Sequence, residues 1–170
     1  FIRLENMTII IKNKYTLLYE DFSFKCCVGL NGFTKIKKEG DKKTPRGLFG
    51  IGDLYYRRDK NIKPQTKLNC NEIKKYMGWC NDVKYKKYYN KLVNIRNKVK
   101  HEKLYRKDYK YDFLIPIKYN WHKPKIPNGS AIFIHLTKNY KPTAGCIGLS
   151  KKDFLILIKL INRKTKIKIF

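Results

Sequence analysis

In Ser130-Ala131-Ile132-Phe133-Ile134-His135-Leu136 the side chains alternate cleanly, with Ala131, Phe133 and His135 on one face and Ile132, Ile134 and Leu136 on the other. That pattern is a strand that ends on an imidazole. A short polar loop follows, and then Pro142-Thr143-Ala144-Gly145-Cys146-Ile147-Gly148-Leu149-Ser150. The order strand, His, loop, Gly-Cys brings an imidazole beside a thiol. The thiolate is the nucleophile of cysteine chemistry, and a neighbouring His is one of the groups that produces it near neutral pH. An isolated Cys is more often a small buried hydrophobe. Here the flanking pattern argues for Cys146 as a nucleophile and His135 as its base, held at a strand end where its position is fixed.

Downstream, Ser150-Lys151-Lys152-Asp153 has the form of a capping box, Ser at the N-cap and Asp at N3. The helix it opens carries Phe154, Leu157, Ile158 and Ile161 on one side. From Lys164 to Phe170 alternation returns, with Thr165, Ile167 and Ile169 on one face of a closing strand. Upstream, residues 7–12 and 15–19 are two β-branched or aromatic segments joined by an Asn13-Lys14 turn. Residues 24–30 predict a third strand stopped by Asn31-Gly32, and 48–56 a fourth. Residues 111–119 predict another, in which Pro116 implies an edge position or a bulge. Between them, from Arg57 to about Lys110, the chain is polar, rich in Tyr and Lys and without a steady period. This predicts a long insertion of loops with one short helix, and long loops in compact domains are usually functional.

A further segment lies ahead of the Gly-Cys run: Lys38-Glu39-Gly40-Asp41-Lys42-Lys43-Thr44-Pro45-Arg46-Gly47-Leu48-Phe49-Gly50-Ile51. Alone, Thr-Pro-Arg-Gly is an ordinary turn sequence. In order with His135 and Thr143-Ala144-Gly145-Cys146, it resembles the catalytic domain of the YkuD family, the L,D-transpeptidases that crosslink bacterial peptidoglycan. In that family Gly-Asp…Thr-Pro-x-Gly-x-Phe precedes a strand-end His and a Ser/Thr-His-Gly-Cys. The likeness spans roughly residues 32–160. Ala144 stands where the family usually has His, and Gly148 where an Asn or Arg is common. Gly78-Trp79-Cys80-Asn81-Asp82, Tyr89-Asn90, His101-Glu102-Lys103-Leu104-Tyr105-Arg106 and Tyr111-Asp112 resemble elements of an α/β-proteobacterial branch, associated with crosslinks near the first residues of the stem.

The resemblance implies a single catalytic domain over residues 1–170, mainly β: a YkuD-like β-sandwich with a polar insertion at about 57–112 and one amphipathic helix after Cys146. It implies that Cys146 forms a thioester with a peptidoglycan stem peptide while His135 takes and returns the proton. Gly145 and Cys146 are expected to supply oxyanion N–H donors. Arg46, Trp79, His101 and Thr143 are expected to bind substrate, with the insertion covering the cleft and Trp79 and His101 facing it. An amine acceptor would give a crosslink, and water would give a carboxypeptidase, amidase or endopeptidase; the Cys-His pair does not choose between them. The location implied is periplasmic or cell-envelope, with no cofactor.

Composition sets the outer bounds. A length of 170 residues fits one domain, and 42% hydrophobic content is enough for a core. The longest apolar runs, residues 8–11 and 154–158, fall far short of the ~20 residues that span a bilayer. No leader peptide is legible in a sequence that begins at Phe1. The net charge of +27 attracts polyanions. Lys, Asn, Ile and Tyr are abundant together, as AT-rich genomes encode, and the basic residues are spread evenly. This favours a solvated surface over a nucleic-acid module, which would also leave His135 and Cys146 without a role. A cysteine peptidase of another fold would need an Asn or Asp to orient the His, and the sequence places none. The five cysteines include no Cys-x-x-Cys, and His101, His122 and His135 are too scattered for a metal set. Cys70 and Cys80 could pair in an oxidising compartment, and the odd count leaves a thiol over.

Overall fold

The computed structural model describes residues 8–170. Short β-branched and aromatic segments dominate, and most of them join one curled sheet. β1 (Thr8–Asn13), β2 (Thr16–Tyr19) and β3 (Phe22–Cys27) form an antiparallel meander. The first turn is held by Asn13 Oδ1, which accepts from the Tyr15 N–H at 2.9 Å. Met7, expected to open β1, lies outside the described residues. β4 (Phe33–Thr34) and β5 (Thr44–Pro45) make a small parallel pair. The rest of the main sheet comes from β6 (Gly47–Gly50), β7 (Leu54–Tyr56), β8 (Cys70–Glu72), β12 (Phe113–Pro116), β13 (Phe133–Leu136), β14 (Ile147–Leu149) and β15 (Lys166–Ile169). Its ten strands run β6-β15-β1-β2-β3-β14-β13-β12-β7-β8.

The segment 48–56, read from sequence as one strand, is two. β6 pairs with β15, whereas β7 pairs with β12. The break falls at Gly50-Ile51-Gly52, where the chain turns a corner of the sheet. There Ile51 bridges Ile117, the Gly52 N–H donates to the Pro116 carbonyl at 2.7 Å, and the Lys118 N–H donates to Gly50 at 2.9 Å. A run of β propensity hides a corner that two glycines permit. These bonds bring the β6 edge back to the end of β12, so the sheet curls on itself. Pro116 is correspondingly not on an edge strand. It is the last residue of an interior strand, where its missing N–H costs no ladder bond.

The curl encloses the main core, which takes Ile9, Ile11, Leu17, Phe24, Phe113, Ile134, Ile147 and Ile167 from the strands. It is filled by α1 (Lys151–Leu160), whose buried face is Phe154, Leu157 and Ile158. Ser150 caps α1, its Oγ accepting from the Asp153 N–H at 3.1 Å. Thr165, Ile167 and Ile169 are buried together, as the alternation of the last segment requires.

The insertion departs from expectation. No helix occurs in it; instead β9 (Met77–Cys80), β10 (Leu92–Asn94) and β11 (His101–Lys103) form a second sheet in the order β10-β9-β11. Strands of three or four residues are too short to show a period in sequence. This small sheet packs on the outer face of β12 and β13 through a second apolar layer that includes Trp79, Leu104, Tyr111, Leu114, Phe133 and Cys146. All five cysteines are free. The Cys70–Cys80 pairing is overturned because Cys70 sits on β8 against the main core, while Cys80 is sealed between Val93 and Val99 in the insertion.

Candidate active site

β13 and β14 lie side by side and parallel, with Ile134 opposite Ile147 and His135 opposite Gly148. The register puts Phe133, His135 and Cys146 on the outer face, the face that the insertion covers. A cleft of about 650 Å³ opens there, lined among others by His135, Thr143, Ala144 and Cys146 from the sheet side, and by Asn81, Glu102, Arg106 and Tyr111 from the insertion side. The space a side chain at Gly148 would need, opposite His135, is filled by Cys27 and Thr137. A Cβ at Gly148 would lie 2.6 Å from Cys27 Sγ, so a second thiol borders the same cleft.

Both candidate groups, the Cys146 thiol and the His135 imidazole, rest uncharged. Cys146 Sγ donates to the Ala131 carbonyl at 3.2 Å and accepts from the Phe133 N–H at 3.3 Å. Burial pushes its thiol up to about 12, with the Glu102 carboxylate adding to the rise and the Phe133 N–H opposing it. The His135 Nδ1 lies 2.9 Å from the Leu136 carbonyl. A carbonyl only accepts, so the proton is on Nδ1 and Nε2 keeps the lone pair of a base. Burial holds the imidazole down at about 4, partly offset by that carbonyl bond. The edge of Tyr111 packs on the His135 ring at 5.5 Å. The Tyr111 hydroxyl donates to Glu102, whose own carboxyl is raised by burial. Among the described residues no hydrogen bond joins the two side chains; they border one cleft as a neutral thiol and a neutral imidazole rather than as a preformed ion pair.

The Gly-Cys turn is built by hydroxyls. Thr44, at the core of the Thr-Pro segment, donates to the Gly145 carbonyl at 2.8 Å and accepts from the Gly29 N–H at 2.9 Å. Thr143 Oγ1 donates to the Cys146 carbonyl at 2.6 Å and accepts from the Gly145 N–H at 3.0 Å. Thr143, expected to bind substrate, therefore spends its hydroxyl on bracing the turn. The Gly145 N–H, expected as an oxyanion donor, is occupied by that brace. The Cys146 N–H has no acceptor among the described residues. Gly145 sits at φ +138°, and a Cβ there would come within 2.8 Å of the Lys43 carbonyl, so only glycine fits.

Three other expected substrate contacts lie elsewhere. Arg46 is exposed, its guanidinium over the Phe33 ring at 5.5 Å, and it does not border the cleft. Trp79 is buried in the layer beneath the cleft, edge-on to Phe133 at 5.2 Å, with its Nε1 donating to Asn90 at 2.9 Å. His101 turns its Nδ1 to the Val99 carbonyl at 2.8 Å and lies over Gly78. Its neighbour Glu102 is the residue that reaches the cleft, because consecutive strand residues point to opposite faces. Glu102, Tyr111, Arg106 and Thr44 were given no role by the sequence. Alternation through 101–103 separates Glu102 from His101, and only the register of β11 on β9 shows which of them turns to the cleft.

Fold and cleft together describe a mainly β protein that carries a His on one strand and a Cys in the turn that opens the adjacent parallel strand. The model of the YkuD family, the L,D-transpeptidase catalytic domain, matches residues 5–169, and the chain belongs to that family. Comparison with curated proteins and with solved structures finds no match. Among the described residues no three His, Cys, Asp or Glu gather as a metal-binding group, and no helix is long and apolar enough to cross a membrane.

Proposed function

We propose that this protein is a cysteine-dependent L,D-transpeptidase acting on peptidoglycan stem peptides in the periplasm or cell envelope. The observation that carries the reading is the shared cleft of Cys146 and His135, one Gly-Cys turn and one strand end apart, on a chain of the YkuD family. His135 Nε2 takes the thiol proton as Sγ attacks the carbonyl carbon of a stem residue. The C–S bond forms, the C–N bond breaks, and His135 returns the proton to the leaving amine. An acceptor amine on a second stem then gives its proton to His135, forms a new C–N bond and breaks the C–S bond; the expelled Cys146 thiolate takes that proton back from His135, restoring the neutral pair. Lys100, Arg106, Lys110 and Lys141 border the same cleft, which suits the carboxylates of peptide stems.

The closest competing reading is hydrolysis through the same thioester, with water in place of the acceptor amine. Intact-mass spectrometry with a purified disaccharide stem peptide tests the shared first half. A single acyl adduct mapped to Cys146, lost in Cys146→Ala and retained in Cys27→Ala, is expected. An adduct that persists in Cys146→Ala would remove the nucleophile.

A further inference from the structure

Of 40 Lys and Arg in the sequence, only Lys37 and Arg57 are buried among the described residues. Arg57 is accounted for by Asp59, which it grips through both Nε and Nη2 at 2.7 Å. Lys37 is different, because it borders the cleft of Cys146 with a side chain only 3% exposed. Its stem threads between two glycines. A Cβ at Gly129, which sits at φ +100°, would lie 2.9 Å from Lys37 Cε and 3.1 Å from Cδ. A Cβ at Gly145 would lie 3.6 Å from Lys37 Nζ. The missing side chains at both positions make a channel that delivers an ammonium to the Gly-Cys turn.

That ammonium has donor capacity to spare. Nζ donates to Asp41 Oδ1 at 2.6 Å and, weakly, to the Lys38 carbonyl at 3.4 Å. Of its three N–H groups, one has no acceptor among the described residues. Asp41 itself is held below the usual carboxylate range: burial works against it, but the Lys37 bond and the N–H groups of Lys38 and Lys43 outweigh that. The Gly-Cys turn offers one backbone donor where two were expected: the Gly145 N–H is taken by Thr143, and the Cys146 N–H has no acceptor among the described residues.

We propose that Lys37 is a further catalytic residue whose ammonium joins the Cys146 N–H as the second donor of the oxyanion hole. The proposal rests on Cys146 being the nucleophile. As the C–S bond forms, the carbonyl π pair moves onto oxygen, and Lys37 donates an N–H to that oxyanion while keeping its proton. Collapse restores the C=O and expels the leaving group. A charged donor on a buried side chain stabilises the developing charge more than a neutral amide does.

Two reagents separate this role from bracing or thiol activation. Acetyl transfer from p-nitrophenyl acetate to Cys146 passes through a tetrahedral oxyanion. Iodoacetamide alkylates the same sulfur by displacing iodide and forms none. Both rates scale with the same thiolate fraction, so their ratio at one pH reports the oxyanion alone. Peptide mapping assigns each adduct to Cys146 rather than to Cys27. Lys37→Met is expected to lower the ratio of acetylation to alkylation by about 10²-fold, as loss of one oxyanion donor does. Lys37→Met/Asp41→Asn, which removes the carboxylate that the single variant strands, is expected to show the same fall. An unchanged ratio in either folded variant would overturn the proposal. Absence of Cys146 acetylation in the parent protein would instead overturn Cys146 as nucleophile, and the Lys37 role with it.

Discussion

His135 is buried and uncharged, and this makes acid a specific stress on the fold. Its imidazole is held at about 4, against about 6.5 in an unfolded chain. Above pH 6.5 both states carry it neutral. As pH falls from 6.5 toward 4, the unfolded chain binds a proton that the fold refuses, so stability drops. Between pH 6.5 and 5 the loss is ~1.5 kcal/mol. Urea denaturation at the two pH values measures it, and in His135→Asn the loss attributable to this residue is absent; equal slopes in parent and variant would contradict the assignment. The Cys146 thiol, pushed up to about 12 by burial, gives a second signature. Iodoacetamide alkylation of the resting protein rises about tenfold per pH unit from pH 7 to 10, since each unit multiplies the thiolate fraction tenfold. A plateau beginning near pH 7 would indicate a preformed ion pair. That both residues border one cleft was legible in sequence, because alternation fixes the face of His135 and a Gly-Cys pair marks a turn. Lys37 was not, since one buried lysine among so many looks like any other until the two glycines around its stem are seen.

Asn90 ties the insertion to the main sheet. Its Oδ1 accepts from Trp79 Nε1 at 2.9 Å and from the Ala131 N–H at 3.0 Å, and its Nδ2 donates to the Tyr119 and Asn120 carbonyls at 3.0 and 2.7 Å. Asn90 stands at φ +55° and Ala131 at φ +53°, so the bonds also hold two turns in the left-handed region. Asn90→Ala leaves buried polar groups without partners and is expected to cost about 2–4 kcal/mol in urea denaturation. A loss under about 0.5 kcal/mol, the range of ordinary surface substitutions, would show that the insertion is not anchored there. Among the elements, α1 and β15 were readable because a cap and a sustained period are local signals. The strands of the insertion were not, because their pairing is set by contacts such as Trp79 on Phe133, between residues far apart in sequence. The corner at Gly50 and Gly52 was missed for a related reason: β propensity continues through it, and only the return of Ile51 to Ile117 defines it.

At the scale of the whole molecule, a curled sheet presents Cys146 and His135 on its outer face, and the insertion turns that face into a cleft. The net charge of +27 surrounds a cleft with several basic residues at its border, which favours the approach of anionic groups. Family and mainly β architecture were legible from two ordered motifs, but the acceptor of the acyl group is written in neither, because amine and water use the same pair of residues. The most direct test is the muropeptide profile of isolated peptidoglycan incubated with the purified protein, beside Cys146→Ala. New crosslinked dimers with the parent and none with the variant are the predicted result. Shortened or released stems without dimers would contradict transpeptidation and make the protein a hydrolase, and dimers formed equally by Cys146→Ala would contradict the account of its chemistry altogether.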